Sequence, residues 1–255
     1  PLQGEGGLSV GFVASKGVKN KDKLPHQREL VDKALKELQA TLELTKGKND
    51  ILNVFSELNK KRSEVDSLSI LAPDTGAYFT ATIGKIVDSF TVIPSSMNDR
   101  ETRNAIQSYT HMVSVKEALG QIRANLNGAF TNNTFAGKTQ NSFILSLGAY
   151  NINKKKFKAL SSEEMNNQFN AKYENADSTK KTFSMIEIAQ EKATEGNFGV
   201  EPAIWFSSVT SSIDILRDIE VEFFKSIQTS IVNKLSSVNT YILIVIGILI
   251  FAVII

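Results

Sequence analysis

From Ala203 to Ile246 the chain carries neither proline nor glycine. Those 44 residues, at a rise of 1.5 Å each, predict a single helix about 66 Å long. Val209, Ile213, Leu216, Phe223, Ile227, Ile231, Val238 and Ile242 trace one apolar stripe along it. Lys234 is the last charged residue, and Tyr241–Ile255 is apolar throughout, so the rod is expected to enter a membrane without a linker. A buried core helix would fit the length of this segment, but not its apolar character on every face. The segment reaches only about 22 Å against a hydrocarbon core of about 30 Å, and the span is therefore expected to continue past Ile255. The opening Pro1, with no signal peptide after it, carries the same expectation of a longer chain at the other end. These features divide the chain into an extracytoplasmic helical domain, residues 1–238, and the start of a transmembrane helix, residues 239–255.

The rest of the sequence also reads as helices, with glycine and proline concentrated at plausible breaks such as Leu24-Pro25, Lys46-Gly47, Ala72-Pro73, Ile93-Pro94 and Glu201-Pro202. Leu30, Ala34, Leu38 and Leu42 recur one turn apart, and Val115, Leu119, Ile122, Leu126 and Ala129 alternate spacings of four and three, the pattern of helices packed in a bundle. Asp74 reads as an N-cap after Pro73, and Ser161-Ser162-Glu163-Glu164 as a capping box. Eight helices are predicted, at about 1–18, 25–46, 49–69, 74–93, 98–130, 139–159, 161–192 with a break, and from 202 onward.

Composition removes several classes of function. A net charge of +2 over 255 residues is too small for the phosphate attraction that drives nucleic-acid binding, so no nucleic-acid partner is expected. With no cysteine and two isolated histidines, His26 and His111, the usual metal sites have no ligands. There is no Gly-rich phosphate loop or catalytic triad pattern, and neither catalysis nor a cofactor is expected. Lys154–Lys156 reads as a solvated face, and Asp218, Glu220 and Glu222 alternate around the rod.

Two segments carry a family resemblance. Leu2–Gly17, LQGEGGLSVGFVASKG, followed by Leu24–Leu35, LPHQRELVDKAL, resembles the opening of the NIT domain, the nitrate- and nitrite-sensing module, at Gln3, Glu5, Gly7, Ser9, Gly11, Phe12, Leu24, Gln27, Arg28 and Asp32. Leu119–Phe135, LGQIRANLNGAFTNNTF, is similar to that family's second signature at Arg123, Ala124, Leu126, Phe130 and Phe135. The segment around Lys154–Lys156 and the late Trp205 with Ser212-Ile213-Asp214 extend the likeness over nearly the whole chain before Tyr241. The resemblance implies an all-α sensor of two stacked four-helix bundles with up-and-down helices, in which arginines on the first and central helices bind nitrate or nitrite. It further implies a homodimeric receptor in the bacterial inner membrane, with the sensor facing the periplasm. Where the family has an arginine after the first glutamate, this chain has Gly6, so Gly6→Arg is expected to restore a second clamp.

Arg123 is singled out by position as well. Leu119, Leu126, Asn127 and Phe130 share its helical face, so it borders the apolar seam. Unpaired burial there would cost several kcal/mol, which calls for a carboxylate, a bound anion or a route to solvent. A planar guanidinium can donate two parallel hydrogen bonds to flat nitrate, as an ammonium cannot. Glu5 and Ser9, one turn apart on the first helix with Gly6 and Gly7 beside them, complete the candidate ligand-binding set of Arg123, Ser9, Gly7, Glu5 and Asn127. Glu5 is the expected internal partner of Arg123, and Gly120 a point of close helix approach. The function expected is the sensor region of a chemoreceptor of the methyl-accepting type, binding a small anion. A histidine kinase or cyclic-dinucleotide enzyme could equally lie downstream, and the rival from another class is a membrane tether with no small-molecule ligand.

Overall fold

A computed structural model of the chain describes residues 1–44, 49–92 and 99–233. Among these residues the protein is all-α, built from α1 (Leu2–Ala14), α2 (Leu24–Leu44), a 3-10 segment (Asn49–Phe55), α3 (Leu58–Asp66), α4 (Ala72–Val92), α5 (Arg100–Asn132), α6 (Thr139–Leu160), α7 (Glu163–Phe169), a π turn (Asn170–Glu174), α8 (Asp177–Glu191) and α9 (Pro202–Asn233). Two compact units result: Pro1–Asp99 with the chain from Ser226 on, and Arg100–Lys225. Among the described residues no helix is long and apolar enough to cross a membrane. Tyr241–Ile255, on which the membrane expectation rests, lies outside the described residues, as do Lys234, Val238 and Ile242.

In the first unit, Leu2 of α1, Val31, Ala34 and Leu38 of α2, Leu58 of α3, and Phe79, Ile83 and Ile86 of α4 form the core, with Phe55 of the 3-10 segment. The buried row on α2 contains Val31 in place of the expected Leu30, which is only half-buried. Both are apolar, so the spacing alone did not fix the rotation of the helix. The expected helix 49–69 splits into the 3-10 segment and α3. α1 stops at Ala14, four residues short of expectation, because Lys16 and Gly17 enter left-handed backbone (φ 53° and 85°). The Gly17 amide then donates to the Phe12 carbonyl at 2.9 Å, which satisfies a terminal acceptor of the helix. Asp74 lies inside the first turn of α4 rather than capping it, where its charge still complements the helix dipole.

The second unit is organised by α5. Val115, Leu119, Ile122, Leu126 and Ala129 are all buried, and Ile106, Tyr109 and Met112 extend the seam toward the helix start. Tyr109 and Phe157 pack on Phe223, and Phe157 and Tyr173 pack on Phe169. The predicted break in 161–192 occurs at the π turn and Asn175. Ser162 caps α7 by accepting from the Met165 amide at 3.2 Å, so the cap falls one residue later than the Ser161-to-Glu164 frame of a capping box. α9 runs unbroken from Pro202, and Trp205, Val209, Ser212, Leu216, Ile219, Phe223, Ile227 and Ile231 are its buried row. Glu220, read from sequence with its neighbours as alternating around the rod, is buried, ion-paired to Lys116 and accepting from the Tyr109 hydroxyl at 3.3 Å. Asp218 is exposed, and Glu222 pairs with Lys172.

The glycine that replaces the family arginine has a structural reason. A Cβ at Gly6 would stand 2.8 Å from Phe79 Cβ and 2.9 Å from its Cγ, closer than side-chain carbons pack, and Gly6 is itself buried. α1 can approach α4 because nothing projects there. Arginine at position 6 would have to displace Phe79 from the core, so the expectation that Gly6→Arg restores a clamp does not hold in this packing. Gly120 shows the reverse, since a Cβ there would meet nothing within 4 Å, and no close approach uses it. Gly6→Ala gains about 1 kcal/mol of helix propensity, yet should still be destabilised on balance, since overpacking costs about 1–3 kcal/mol. A urea titration should show a lower midpoint, with Gly6→Arg lower again.

Candidate functional site

The sequence-predicted residues fall into the two units. Glu5, Gly7 and Ser9 are on α1 in the first; Arg123 and Asn127 are on α5 in the second.

Glu5 has no exposed surface. Its carboxylate accepts from Arg62 Nε at 2.7 Å and Arg62 Nη2 at 2.8 Å, a two-pronged pair. Arg28 Nε stands 3.6 Å from Glu5 Oε1. Each arginine also reaches outward: Arg62 Nη1 donates to Asp32 at 2.6 Å, and Arg28 Nη1 to Asp66 at 2.9 Å. Glu5 is therefore the partner of Arg62 and not, as expected, of Arg123. Burial acts to lower the Arg62 pKa, and the bonds from Glu5 and Asp32 more than reverse it, holding the guanidinium above its ordinary value. Glu5, Arg28 and Asp32 are signature residues that the sequence suggested separately, and this network joins them. Gln27, next in the signature, donates to the Pro1 carbonyl at 2.8 Å and ties α2 to the start of α1.

Three polar atoms beside this network are buried without a hydrogen-bond partner among the described residues: Ser9 Oγ, Arg28 Nε and Tyr78 Oη. Burial, with the Glu5 charge among the electrostatic influences, raises the Tyr78 pKa, so the phenol keeps its proton. Gly7 is exposed and brings no group to the network.

Arg123 is half-buried and differently placed. Its Nη1 donates to Thr210 Oγ1 at 3.2 Å, and its Cζ lies 5.3 Å from the centroid of the Phe206 ring. Its own carbonyl accepts the Trp205 indole N–H at 3.2 Å. All three partners are on the first turns of α9. Among the described residues no carboxylate is within ion-pair distance of Arg123. Burial lowers its pKa, and the more distant Asp214 and Glu117 oppose that without reversing it. Asn127 follows one turn later, half-buried, its carbonyl accepting from the Thr131 hydroxyl. Phe130 packs edge-on to Trp205 and Phe198, and Phe135 joins through Phe198 and Phe143, an aromatic cluster at the same end of α5. Among the described residues no group of three His, Asp or Glu is placed to hold a metal ion.

Sequence reasoning missed Arg62, Tyr78, Phe206 and Thr210. Arg62 sits in a Lys60-Lys61-Arg62 run that reads as solvated; the signal for it is Glu5 itself, an acid on a buried face that requires a cation. Nothing in the spacing marked Phe206 or Thr210.

The second unit is thus all-helical, with a half-buried arginine that makes one side-chain hydrogen bond among the described residues. The nitrate and nitrite sensing (NIT) family model matches residues 1–228, and the chain belongs to that family. A comparison with curated protein sequences gives no match. Among solved structures, the chain is similar in fold to the NasR transcription antiterminator, with a TM-score of 0.73 and 18% identity over 98% of this chain and 73% of that one.

Removing one partner of a buried ion pair leaves the other charge uncompensated, at a cost of about 3–5 kcal/mol. Glu5→Ala should therefore lower unfolding free energy by that order in a urea titration. Tyr78→Phe, which deletes an unpartnered hydroxyl, should leave it unchanged or raise it.

Proposed function

We propose that this chain is the ligand-binding region of a bacterial transmembrane receptor that senses nitrate or nitrite, with Arg123 as the group that meets the anion. The observation that carries this reading is the state of the Arg123 guanidinium: half-buried, held by one hydrogen bond to a neutral hydroxyl, and without a carboxylate in contact. A planar monoanion with several acceptor oxygens fits donors left open in this way, and membership of the family supports the choice of nitrate or nitrite. The reading places residues 1–238 in the periplasm, the chain as a homodimer in the inner membrane, and a chemoreceptor of the methyl-accepting type downstream. Its membrane part rests on the uninterrupted apolar sequence Tyr241–Ile255. The unbroken α9 would carry the signal, since Pro202–Asn233 is one helix and contacts Arg123 near its start. No nucleic acid is part of the proposal. The fold itself does not select an output, because it is shared with a transcription antiterminator.

Arg123→Ala should weaken nitrate binding at least tenfold by titration calorimetry, about 1.4 kcal/mol, given that hydrogen bonds to charged groups contribute about 1.5–3 kcal/mol. Unchanged affinity would remove Arg123 from the site.

Transmission through α9 has a separate test. Proline in a helix interior costs about 3 kcal/mol or more and kinks the axis, so Ser230→Pro should spare nitrate binding while abolishing or locking the ligand-dependent output of the complete receptor. A normal output from that variant would mean that the signal leaves by another route.

A further inference from the structure

The reading of Arg123 as the anion group leaves open what sets its affinity, and the residues that answer this lie on α9. Every described side-chain contact of the guanidinium is made there. Phe206 supports it through the 5.3 Å ring contact, and Thr210, one turn later, accepts one N–H at 3.2 Å. An arginine side chain has five N–H donors, so four remain without a hydrogen bond among the described residues. Phe206 is 49% exposed, an unusual position for a large aromatic on a helix whose other aromatics Trp205, Phe223 and Phe224 are buried. Its exposed ring supports a cation at a solvent-accessible edge, where a small ion can arrive. One further turn along the same face stands Asp214, exposed and 3.8 Å from Arg217 in an ion pair.

We infer that α9 supplies the second half of the anion site: Phe206 and Thr210 are positioning residues that hold the Arg123 guanidinium with its free donors outward, and Asp214 sets affinity by opposing the charge of the ligand. This inference rests on the proposed role of Arg123. A guanidinium on a flexible stem loses rotamer freedom when it binds. Holding it beforehand against a ring and a hydroxyl removes part of that cost. Asp214 acts in the other direction. Its field supports the positive charge of Arg123 while the site is empty, together with Glu117, and repels an anion that occupies it. Arg217, paired to Asp214, moderates that repulsion. Occupancy of the site is thus registered by the helix that holds the arginine.

The test is calorimetric titration of the whole chain with sodium nitrate and sodium nitrite at constant ionic strength. Thr210→Val keeps the side-chain shape and deletes the acceptor; it should weaken binding at least threefold, and Thr210→Ser, which restores the hydroxyl, should return affinity to near the parent value. Asp214→Asn should tighten binding at least threefold, an increase that a merely structural role of α9 does not produce. Asp214 is exposed, so this variant is readable even where a change at Thr210 impairs folding. If Arg123→Ala abolishes binding while Thr210→Val and Asp214→Asn bind like the parent, α9 plays no part in affinity and the inference is wrong. If Arg123→Ala itself binds like the parent, or the parent binds neither anion, the underlying reading of Arg123 fails instead.

Discussion

The Glu5 carboxylate, withdrawn completely from water at the start of α1, is the interaction on which the first unit depends. An isolated buried carboxylate is prohibitively costly, so α1 can occupy this place only with α3 beside it to deliver Arg62, and with α2 beside it to deliver Arg28. The pair therefore specifies which helices must be neighbours, where an apolar core of Leu, Val and Phe would accept several arrangements. Asp32 and Asp66 extend the same logic to the surface, because each arginine is held at both ends and neither can swing away from Glu5. The absence of a side chain at Gly6 is the other half of the arrangement. It lets α1 close on Phe79 of α4 on one side while Glu5 faces the arginines on the next.

The helical class, the breaks at Leu24-Pro25, Ala72-Pro73 and Glu201-Pro202, and the α5 seam were legible in the sequence because each depends on local periodicity or local backbone geometry, while the breaks expected at Lys46-Gly47 and Ile93-Pro94 lie outside the described residues. Val115 through Ala129 are buried as read, and the 161–192 segment breaks as read. The rotation of α2 was not legible, because Leu30 and Val31 are equally apolar and only the packing of the neighbouring helices chooses between them. The early end of α1 was not legible either: Lys16 is a poor residue for left-handed backbone, and only Gly17 gave a hint. The position of Arg123 beside the seam was legible, and the residue is half-buried there. Its contacts were not legible, because Thr210 and Phe206 are 87 and 83 positions away in the chain and have no residue pattern of their own. The pairing of Glu5 with Arg62 escaped for the same reason, hidden in a run of three basic residues.

Arg62 and Arg123 show how the environment treats two chemically identical side chains differently. Burial presses on both. Around Arg62 two carboxylates answer it directly, the charge is held above its ordinary pKa, and its donors are committed at 2.6 to 2.8 Å. An anion offered to that group would have to displace an internal carboxylate that cannot itself return to water. Around Arg123 no carboxylate among the described residues is close enough to bond, burial prevails, and its pKa is held below the ordinary value.

The difference gives Arg123 a hydrogen-bond shell that the described residues do not complete. A neutral hydroxyl and an aromatic face can orient a guanidinium without neutralising it. They also bind it to one particular helix. Trp205 donates to the Arg123 carbonyl while Thr210 accepts from its side chain, so the same two turns of α9 grip both the backbone and the charge of one α5 residue. Under the proposed function, a ligand that draws the guanidinium outward would either carry those turns with it or loosen them. On that reading either response would begin at the start of α9, and no proline or glycine interrupts that helix between Ala203 and Asn233 to absorb it.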